Sequence, residues 1–393
     1  MKFEIDRLAM LEAAKNVGKV APSSSPIEAL KGVLLESKDD TGEVFLTATN
    51  HESSVQFKVA ASVEESGAIL VNSRLLTGML KHLEAEFVEF SAKSPSALLV
   101  TSGKSSFKVS CPPAEGFPKP LMPYPEDTAK LSGVASLVKR AGFAVSEDSA
   151  KPTLQCVNLK IRRNAVHAEA TDGIRLMMVK DAAGSPGEQE FLIPGRSLRL
   201  LAAMSTDEDV YEAGDIGGEI VFVRGDMMFS VKKLAAGGFI DAGTAIKSVK
   251  PAYAAVADTE QLREALGTIA AGALASGPGE PVNLAMAEGQ VTLQFSGELT
   301  AGAAAISASV SSPTPSEGFF YNVRHLMELL AVIDGRAKLE IDLRGFLLVK
   351  TRNEAYLQAP ISPPAIKAKP ARKTSGAKTA KGTKEKKKEE EAA

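Results

Sequence analysis

The segments LVTSGKSSFKVSCPPAEGF (residues 99–117) and VFVRGDMMFSVKKLAAGGF (residues 221–239) lie over each other without a gap, at one constant offset of 122 residues from Leu99 to Val221. Gly103 then meets Gly225, and Phe107 meets Phe229. Each segment has apolar residues in alternation on both sides of a glycine turn, which predicts a β-hairpin. Two copies of one hairpin indicate an internal repeat, and a repeat of this length decides the fold.

The repeat extends well beyond the hairpin. The same offset places Ala48-Thr49-Asn50 over Ala170-Thr171-Asp172, and Val71-Asn72-Ser73-Arg74 over Ile193-Pro194-Gly195-Arg196. A fainter third copy has Tyr321-Asn322-Val323-Arg324 at the position of the second pair, VTLQFSGE from Val291 in the middle, and GFLLVKTRNEAYLQAP from Gly345 as the last hairpin. The sequence therefore predicts three tandem copies of one unit.

Each unit combines two helices with antiparallel strands. Apolar residues at helical spacing mark a first helix in each copy, at Leu8, Leu11 and Ala14, at Val134, Leu137, Val138 and Ala141, and at Leu262, Leu266 and Ile269. They mark a second helix at Leu75, Leu76, Met79 and Leu80, at Leu198 and Leu201, and at Leu326, Leu329, Leu330 and Ile333. The fold class is thus α+β, in three domains at 1–125, 126–245 and 246–364, with a tail at 365–393.

Composition narrows the class of protein further. The 393 residues are 44% hydrophobic, enough for several cores, and no apolar run approaches the ~18 residues that span a bilayer, so we expect a cytoplasmic protein. Cys111 and Cys156 are too isolated for a disulfide framework or a thiolate metal site. Residues 367–393 contain ten Lys or Arg and four Glu, a charge of +6. Because the whole chain has a net charge of −2, the residues before Lys367 carry −8. The tail has two interpretations, a solubilising appendage or a phosphate-binding arm.

No arrangement of residues indicates catalysis. The Gly-Lys-Ser of SGKSSF at Ser102 lacks the earlier glycine of a phosphate loop, and the repeat places it in a hairpin turn. The four histidines, His51, His82, His167 and His325, lack metal-ligand spacing. Asp172 could be a catalytic carboxylate, but its repeat partner is Asn50, and both side chains can close a turn. The sequence predicts no catalytic residue, metal site or cofactor.

An arginine stands at the start of each second helix, at Arg74, Arg196 and Arg324. A cation at a helix N-terminus opposes the helix dipole, so helix stability does not explain these arginines. A salt bridge to a neighbouring Glu, plain inheritance within the family and contact with a DNA phosphate all stay open. Other cations fall on the predicted helices, whereas many acids fall on strands or loops. The predicted DNA-facing set is Lys15, Lys19, Arg74, Lys139, Arg140, Arg196, Arg199, Arg263 and Arg324.

Three segments carry a resemblance to a known family. ATDGIRL (170–176) resembles the ATDGHRL signature of the bacterial DNA sliding clamps, the beta subunits of DNA polymerase III; MKFEIDR resembles their N-terminal strand, and GFAVSEDSAKPTLQCVNLKI (142–161) the opening of their second domain. The similarity extends to about Pro360 and is weakest in the third domain. It implies a head-to-tail homodimer, a six-domain ring with helices lining the hole, which holds double-stranded DNA topologically and without sequence preference. It also implies location at the nucleoid.

The resemblance further implies a hydrophobic cleft for short peptides from the polymerase, the clamp loader and other partners. By matching positions the cleft residues are Leu154, Thr171, Gly173, Ile174, Arg175, Leu176, Phe239, Ile240, Ile246, Leu357, Gln358, Ala359, Pro360 and Ile361. Ile174 stands where the family has histidine, and the chain continues past Pro360 where typical members end. Two alternatives stay open: a divergent clamp that serves repair or a mobile element, and a three-domain enzyme with an unrecognised site.

Overall fold

The computed structural model describes residues 1–181, 185, 187–234, 239–276, 280–297 and 300–363. The first third of the chain forms one unit of strands and two helices. Its elements are β1 (Lys2–Asp6), α1 (Arg7–Val17), β2 (Gly32–Lys38), β3 (Glu43–Thr49), β4 (Ser53–Ala60), β5 (Ser62–Glu65), β6 (Gly67–Asn72), α2 (Ser73–His82), β7 (Phe87–Ser94), β8 (Ala97–Ser102) and β9 (Ser105–Ser110).

The remaining described residues repeat this order twice, without a counterpart of β5, which confirms the predicted fold. The second unit contains β10 (Ala129–Ser132), α3 (Val134–Ala141), β11 (Cys156–Arg162), β12 (Ala165–Thr171), β13 (Arg175–Asp181), β14 (Gln189–Pro194), α4 (Gly195–Ala203), β15 (Val210–Ile216), β16 (Glu219–Arg224) and β17 (Met227–Lys232). A short helix, α5 (Ala242–Ser248), links it to the third. The third contains β18 (Pro251–Asp258), α6 (Thr259–Ser276), β19 (Pro281–Ala287), β20 (Gln290–Ser296), β21 (Ala301–Ser312), β22 (Phe319–Asn322), α7 (Val323–Leu330), β23 (Arg336–Asp342), β24 (Leu347–Lys350) and β25 (Glu354–Gln358).

One of the two predicted domain boundaries falls between elements of the structure, and the other falls inside a helix. The division at 125/126 falls in the connection before β10, whereas the division at 245/246 falls inside α5. Residues 365–393, the predicted tail, lie outside the described residues. Among the described helices none is long and apolar enough to cross a membrane.

The two helices of each unit pack together on one face of its strands. Asn72 caps α2 by accepting hydrogen bonds from the backbone N–H of Arg74 and Leu75, and Asn322 caps α7 in the same way. In α1 the buried face runs through Met10, Ala14 and Val17. The sequence pattern was wrong for Leu8 and Leu75, which are 62% and 45% exposed, because the helices turn neighbouring residues toward the core.

Strands join the units across their boundaries. The last strand of the second unit, β17, pairs with β4 of the first, and β25 pairs with β13 of the second. The pairings extend sheets of eight and twelve strands over the two joints. In the described part of the chain, β9 forms one edge of the five-stranded sheet, and the first half of β21 pairs only with β20. Among the described residues, one strand edge without a second partner therefore lies in the first unit, at β9, and another lies in the third unit, at the first half of β21.

Candidate functional site

The turn at Asp172 has the same geometry in both of the first two units. Asp172 Oδ1 accepts hydrogen bonds from the backbone N–H of Ile174 at 2.8 Å and Arg175 at 2.9 Å, and Asn50 Oδ1 accepts equivalent bonds from Glu52 and Ser53. The next residue has a positive φ in each turn, 91° at Gly173 and 73° at His51. The prediction that Asp172 is a turn residue is confirmed, because Asn50 makes the same bonds without a charge.

Arg175 follows this turn and ties the second unit to the third. The Arg175 side chain is 7% exposed; its Nε donates to Asp172 at 3.0 Å, its Nη1 donates to Glu328 on α7, and its Nη2 donates to the Phe143 carbonyl at 2.9 Å. The guanidinium also lies 5.2 Å from the centre of the Phe143 ring. These contacts occupy both ends of the guanidinium, so Arg175 is a structural residue of the joint. The interpretation of this side chain as an anchor for a bound peptide stays a prediction.

Further polar side chains are buried around the same joint. Tyr356 donates its hydroxyl hydrogen bond to Gln358 at 2.8 Å, and burial raises the pKa of the Tyr356 phenol. Burial, together with the charge of Arg175, lowers the pKa of His325 on α7. Gln358 is fully buried, and its amide nitrogen lacks a hydrogen-bond partner among the described residues. Gln358 thus lies in the interior of the joint.

The opposite face of the β13–β25 pair is apolar. Leu176 on β13 lies directly across from Leu357 on β25, and Leu357 lies across from Leu348 on β24. Leu176 and Leu348 are buried, yet neither belongs to the main core cluster. At the joint between the first two units, the position of the Leu176–Leu357 pair is taken by Ser54 and Ser230. An apolar floor is therefore present at the second joint and replaced by hydroxyls at the first.

Several other predicted cleft residues border this floor. Ile174 is 52% exposed and its carbonyl accepts a hydrogen bond from the Ala359 N–H at 2.9 Å. A Cβ added at Gly173 would lie 3.6 Å from Leu154 Cδ1, so Leu154 lies beside the turn. The helix α5, which carries Ile246, packs against β13. The structure brings these residues together beside the apolar floor, and Leu154, Ile174, Leu176, Ile246 and Leu357 are together called the groove below.

The remaining predicted cleft residues lie elsewhere. Phe239 and Ile240 line a separate cavity of about 120 Å³ with Asn158, Lys160 and Glu190, on β11 and β14. Thr171 is 2% exposed and its hydroxyl donates to the Arg175 carbonyl within the turn. Pro360 lies beside Gly345, and the Ile361 N–H donates to the Phe320 carbonyl, so the chain runs from the groove onto the third unit.

Comparison with known proteins agrees with this architecture. Residues 1–123 match the model of the N-terminal domain of the DNA polymerase III beta subunit, and residues 129–241 match the model of its central domain. The chain belongs to the DNA polymerase III beta subunit family. The beta sliding clamp of Micrococcus luteus is 28% identical over 304 residues, 75% of this chain and 94% of that protein.

Other relatives match over a shorter region. The beta sliding clamp of Chlamydia trachomatis is 30% identical over 247 residues, which cover 61% of this chain and only 58% of that protein. The solved DNA polymerase III subunit beta of Pseudomonas aeruginosa superposes with a TM-score of 0.82 at 22% identity, covering 92% of this chain and all of that one. The sliding clamp of Bacillus subtilis superposes with a TM-score of 0.81 at 20% identity, covering 92% and 99% of the two chains. These likenesses show the three-domain clamp fold along the whole body.

The predicted DNA-facing cations fall into two groups in this clamp fold. Four are exposed and make no ion pair among the described residues: Lys15, Arg74, Lys139 and Arg324. The other five bind groups of the chain itself: Lys19 the Ala203 carbonyl, Arg140 Asp181 and Glu354, Arg196 Glu52, Arg199 the Gly142 carbonyl, and Arg263 the Leu330 and Ile333 carbonyls and Asp334.

For Arg196 the salt bridge to a nearby acid, which the sequence left open, is present in the structure, and the acid is Glu52. Arg140 and Arg263 also bind acids of the chain, and Arg263 binds in addition the carbonyl of Leu330 at the end of α7.

The sequence analysis did not predict that two further arginines lie near the second joint. Arg336 and Arg352 line a cavity of about 360 Å³ together with Arg140 and Glu354. Arg352 lies in the turn between β24 and β25, and Lys180 on β13 donates its N–H to the neighbouring Asn353 carbonyl at 2.8 Å. Only the pairing of β25 with β13 brings these residues to α3, and no local spacing in the sequence indicates it.

Proposed function

We propose that this chain is a DNA sliding clamp, a non-catalytic processivity subunit that closes into a homodimeric ring around double-stranded DNA and tethers the polymerase to it. The observation that carries the proposal is a pair of strand edges with no second partner among the described residues, β9 in the first unit and the first half of β21 in the third. Each internal joint pairs the last strand of one unit with a middle strand of the unit before it. A second copy repeats the same pairing at both ends, and twofold symmetry then closes the ring.

The repeat also gives the register of the dimer contact. Phe229 of β17 lies across from Val55, and Phe107 of β9 is the repeat partner of Phe229. Val55 pairs with Ala48, one step after the Thr49–Ser54 pair, and Gly302 pairs with Phe295, one step after the Ser296–Ala301 pair, so the two residues have the same place in their hairpins. Phe107 is then placed across from Gly302 of the partner subunit. Gly302 faces Ile269 of α6, so the ring of Phe107, 39% exposed in one chain, gains an apolar neighbour and no competing side chain.

Phe107→Asp is expected to turn the dimer into monomers. The change removes about 2 kcal/mol of apolar burial and adds a charge at each of the two interfaces of the ring, about 4 kcal/mol together, so the dimer dissociation constant rises about 1,000-fold or more. Sedimentation velocity over a concentration series measures it. Leu121→Asp is the matched control, because Leu121 is 87% exposed in the connection before β10 and should leave the dimer unchanged. Equal dimer strength in the Phe107→Asp protein would contradict the proposed edge pairing.

A loaded ring is expected to stay on closed circular DNA and to leave a linear duplex of equal length. The body carries −8, a poor basis for bulk attraction to DNA, whereas a closed ring needs only a positive lining. Gel filtration of clamp loaded on the two DNA forms, with a clamp loader present, measures the retained fraction. Salt should affect retention little, because a sliding ring makes few phosphate contacts at once and each contact adds about 0.9 to the slope of log affinity against log salt concentration. Equal loss from both forms would remove the topological model.

The lining is tested in the same assay with two charge-matched variants. Arg74→Glu with Arg324→Glu reverses two exposed cations at the starts of α2 and α7, and loading should fall while the dimer persists. Lys93→Glu with Lys130→Glu reverses two exposed cations on β7 and β10 and should load normally. Equal loading by both variants would assign the helix-start arginines no part in DNA contact.

The groove at the second joint is the proposed docking site for partner peptides. The polymerase, the clamp loader and other clamp-binding proteins are the expected partners, and a clamp loaded on chromosomal DNA is found at the nucleoid. What supports this proposal is the Leu176–Leu357 floor, which the first joint replaces with Ser54 and Ser230. A bulky apolar side chain gains burial only at the second joint, so one docking site is proposed in each chain.

A further inference from the structure

The third unit carries a cavity of about 750 Å³ that lies beyond the groove described above. Gln294 of β20 and Ala301 and Ala303 of β21 border it on the face of the sheet turned away from α6, since the intervening Gly302 faces Ile269 on that helix. Phe320 and Pro281 add apolar walls. The volume is within the usual range for a bound ligand or a short peptide segment.

The chain itself leads into this cavity. After β25, the Ala359 N–H donates to the Ile174 carbonyl, and two residues later the Ile361 N–H donates to the Phe320 carbonyl. Pro363, the last residue that the structure describes, lines the cavity. Pro364-Ala365-Ile366-Lys367 follow Pro363 in the sequence, and three residues of extended chain can span about 10 Å.

The chemistry of this segment matches the cavity. Within residues 364–393 the only large apolar side chain is Ile366, and Lys367 follows it at once. Glu317 is the one charged residue among those that line the cavity, and its carboxylate makes no ion pair with any described residue. An aliphatic side chain between Phe320 and Pro281 with a lysine beside Glu317 would satisfy both features.

We propose that residues 364–367 dock in this cavity, with Ile366 against its apolar walls and Lys367 beside Glu317. Docking fixes the root of the Lys-rich tail on the face of the third unit opposite its helices. If the helices line the DNA hole, the tail then leaves from the outside of the ring, and its cations reach anions on the outer surface. The docked segment needs no DNA, so its test does not depend on loading. Because Ala301 and Ala303 also lie on the half of β21 that is proposed to pair with β9 of a second copy, the test is run on both the unaltered dimer and the Phe107→Asp monomer.

Limited trypsin digestion of the full-length protein tests the proposal with a reference inside the same tail. Trypsin cuts after Lys367 and after Arg372 and Lys373, but not at Lys369, which precedes Pro370. Docking should slow the cut after Lys367 about tenfold or more relative to the cuts at Arg372 and Lys373, because cleavage follows the released fraction and burial of one isoleucine shifts that equilibrium by about this factor. Mass spectrometry of the shortened body measures both products.

Two variants probe the two sides of the contact. Ile366→Ser removes the apolar anchor, and Ser316→Trp fills the cavity from an exposed turn; each should raise cleavage after Lys367 to the rate at Arg372. Ser149→Trp, on an exposed loop of the second unit, is the matched control and should keep the protection. Wild-type cleavage at Lys367 as fast as at Arg372, or protection that survives Ile366→Ser, would overturn the proposal and leave the cavity to another occupant.

Discussion

Leu176→Asp is expected to abolish binding of a clamp-type peptide, such as one with Gln followed by Leu and Phe, to the groove at the second joint. Such a peptide should bind the unaltered protein in the micromolar range, about −8 kcal/mol. Leu176 is 4% exposed and pairs with Leu357 to form the apolar floor. Loss of a central apolar anchor costs about 2 kcal/mol or more, and the new charge would lie against the ligand, so the affinity should fall at least about 30-fold.

The design must separate lost binding from lost folding, because Leu176 is buried. Ile174→Asp supplies the second variant, since Ile174 is 52% exposed at the edge of the same floor and tolerates a charge. Leu121→Asp, exposed and remote in sequence, is the control and should bind normally. Fluorescence anisotropy with a labelled peptide measures affinity, and sedimentation shows whether the dimer persists. Unchanged affinity in both groove variants would make the turn purely structural and the groove assignment wrong.

The repeat explains why so much of the fold could be predicted from one sequence. Glycine turns, Asx turns and helix starts recur at one offset, and each is a local structure with a local cause, as at Asn50 and Asp172. Helix faces were less predictable. Leu8 and Leu75 fit the apolar spacing but are exposed, because spacing alone does not fix which residues turn toward the sheet.

Contacts between units lie beyond local patterns. The pairing of β25 with β13 joins residues far apart in the chain, and it decides which face each side chain takes. Leu176 and Leu357 face the groove, whereas their neighbours Arg175 and Gln358 face the interior of the joint. The residues matched to the family's cleft therefore lie on both faces of one strand pair, some on the apolar floor and some in the interior of the joint. Phe239 and Ile240 match the family's cleft positions in the sequence, but in the structure they line a cavity with residues of β11 and β14.

Arg175→Ala is expected to loosen the joint between the second and third units far more than Arg196→Ala loosens the first. Arg175 is 7% exposed, and its removal leaves Asp172 and the Phe143 carbonyl without their shared donor. Removing one partner of a buried charge pair costs about 3 kcal/mol, or about 100-fold in the opening equilibrium. Arg196 pairs with Glu52 from a side chain that is 77% exposed, so its loss should cost at most about 1 kcal/mol.

Amide hydrogen exchange of the intact dimer compares the two joints directly, because protected amides in each strand pair report local opening. In the Arg175→Ala protein the amides of β13 and β25 should exchange about 100-fold faster, while those of β4 and β17 stay unchanged. In the Arg196→Ala protein the exchange of β4 and β17 should rise only a few-fold. The same Arg175→Ala change should weaken peptide binding, since Arg175 holds the turn that carries Ile174 to the edge of the groove. If the amides at the joint exchange equally fast in the two variants, the buried polar contacts of Arg175 do not hold the second and third units together. Strand pairing and apolar packing alone would then do so.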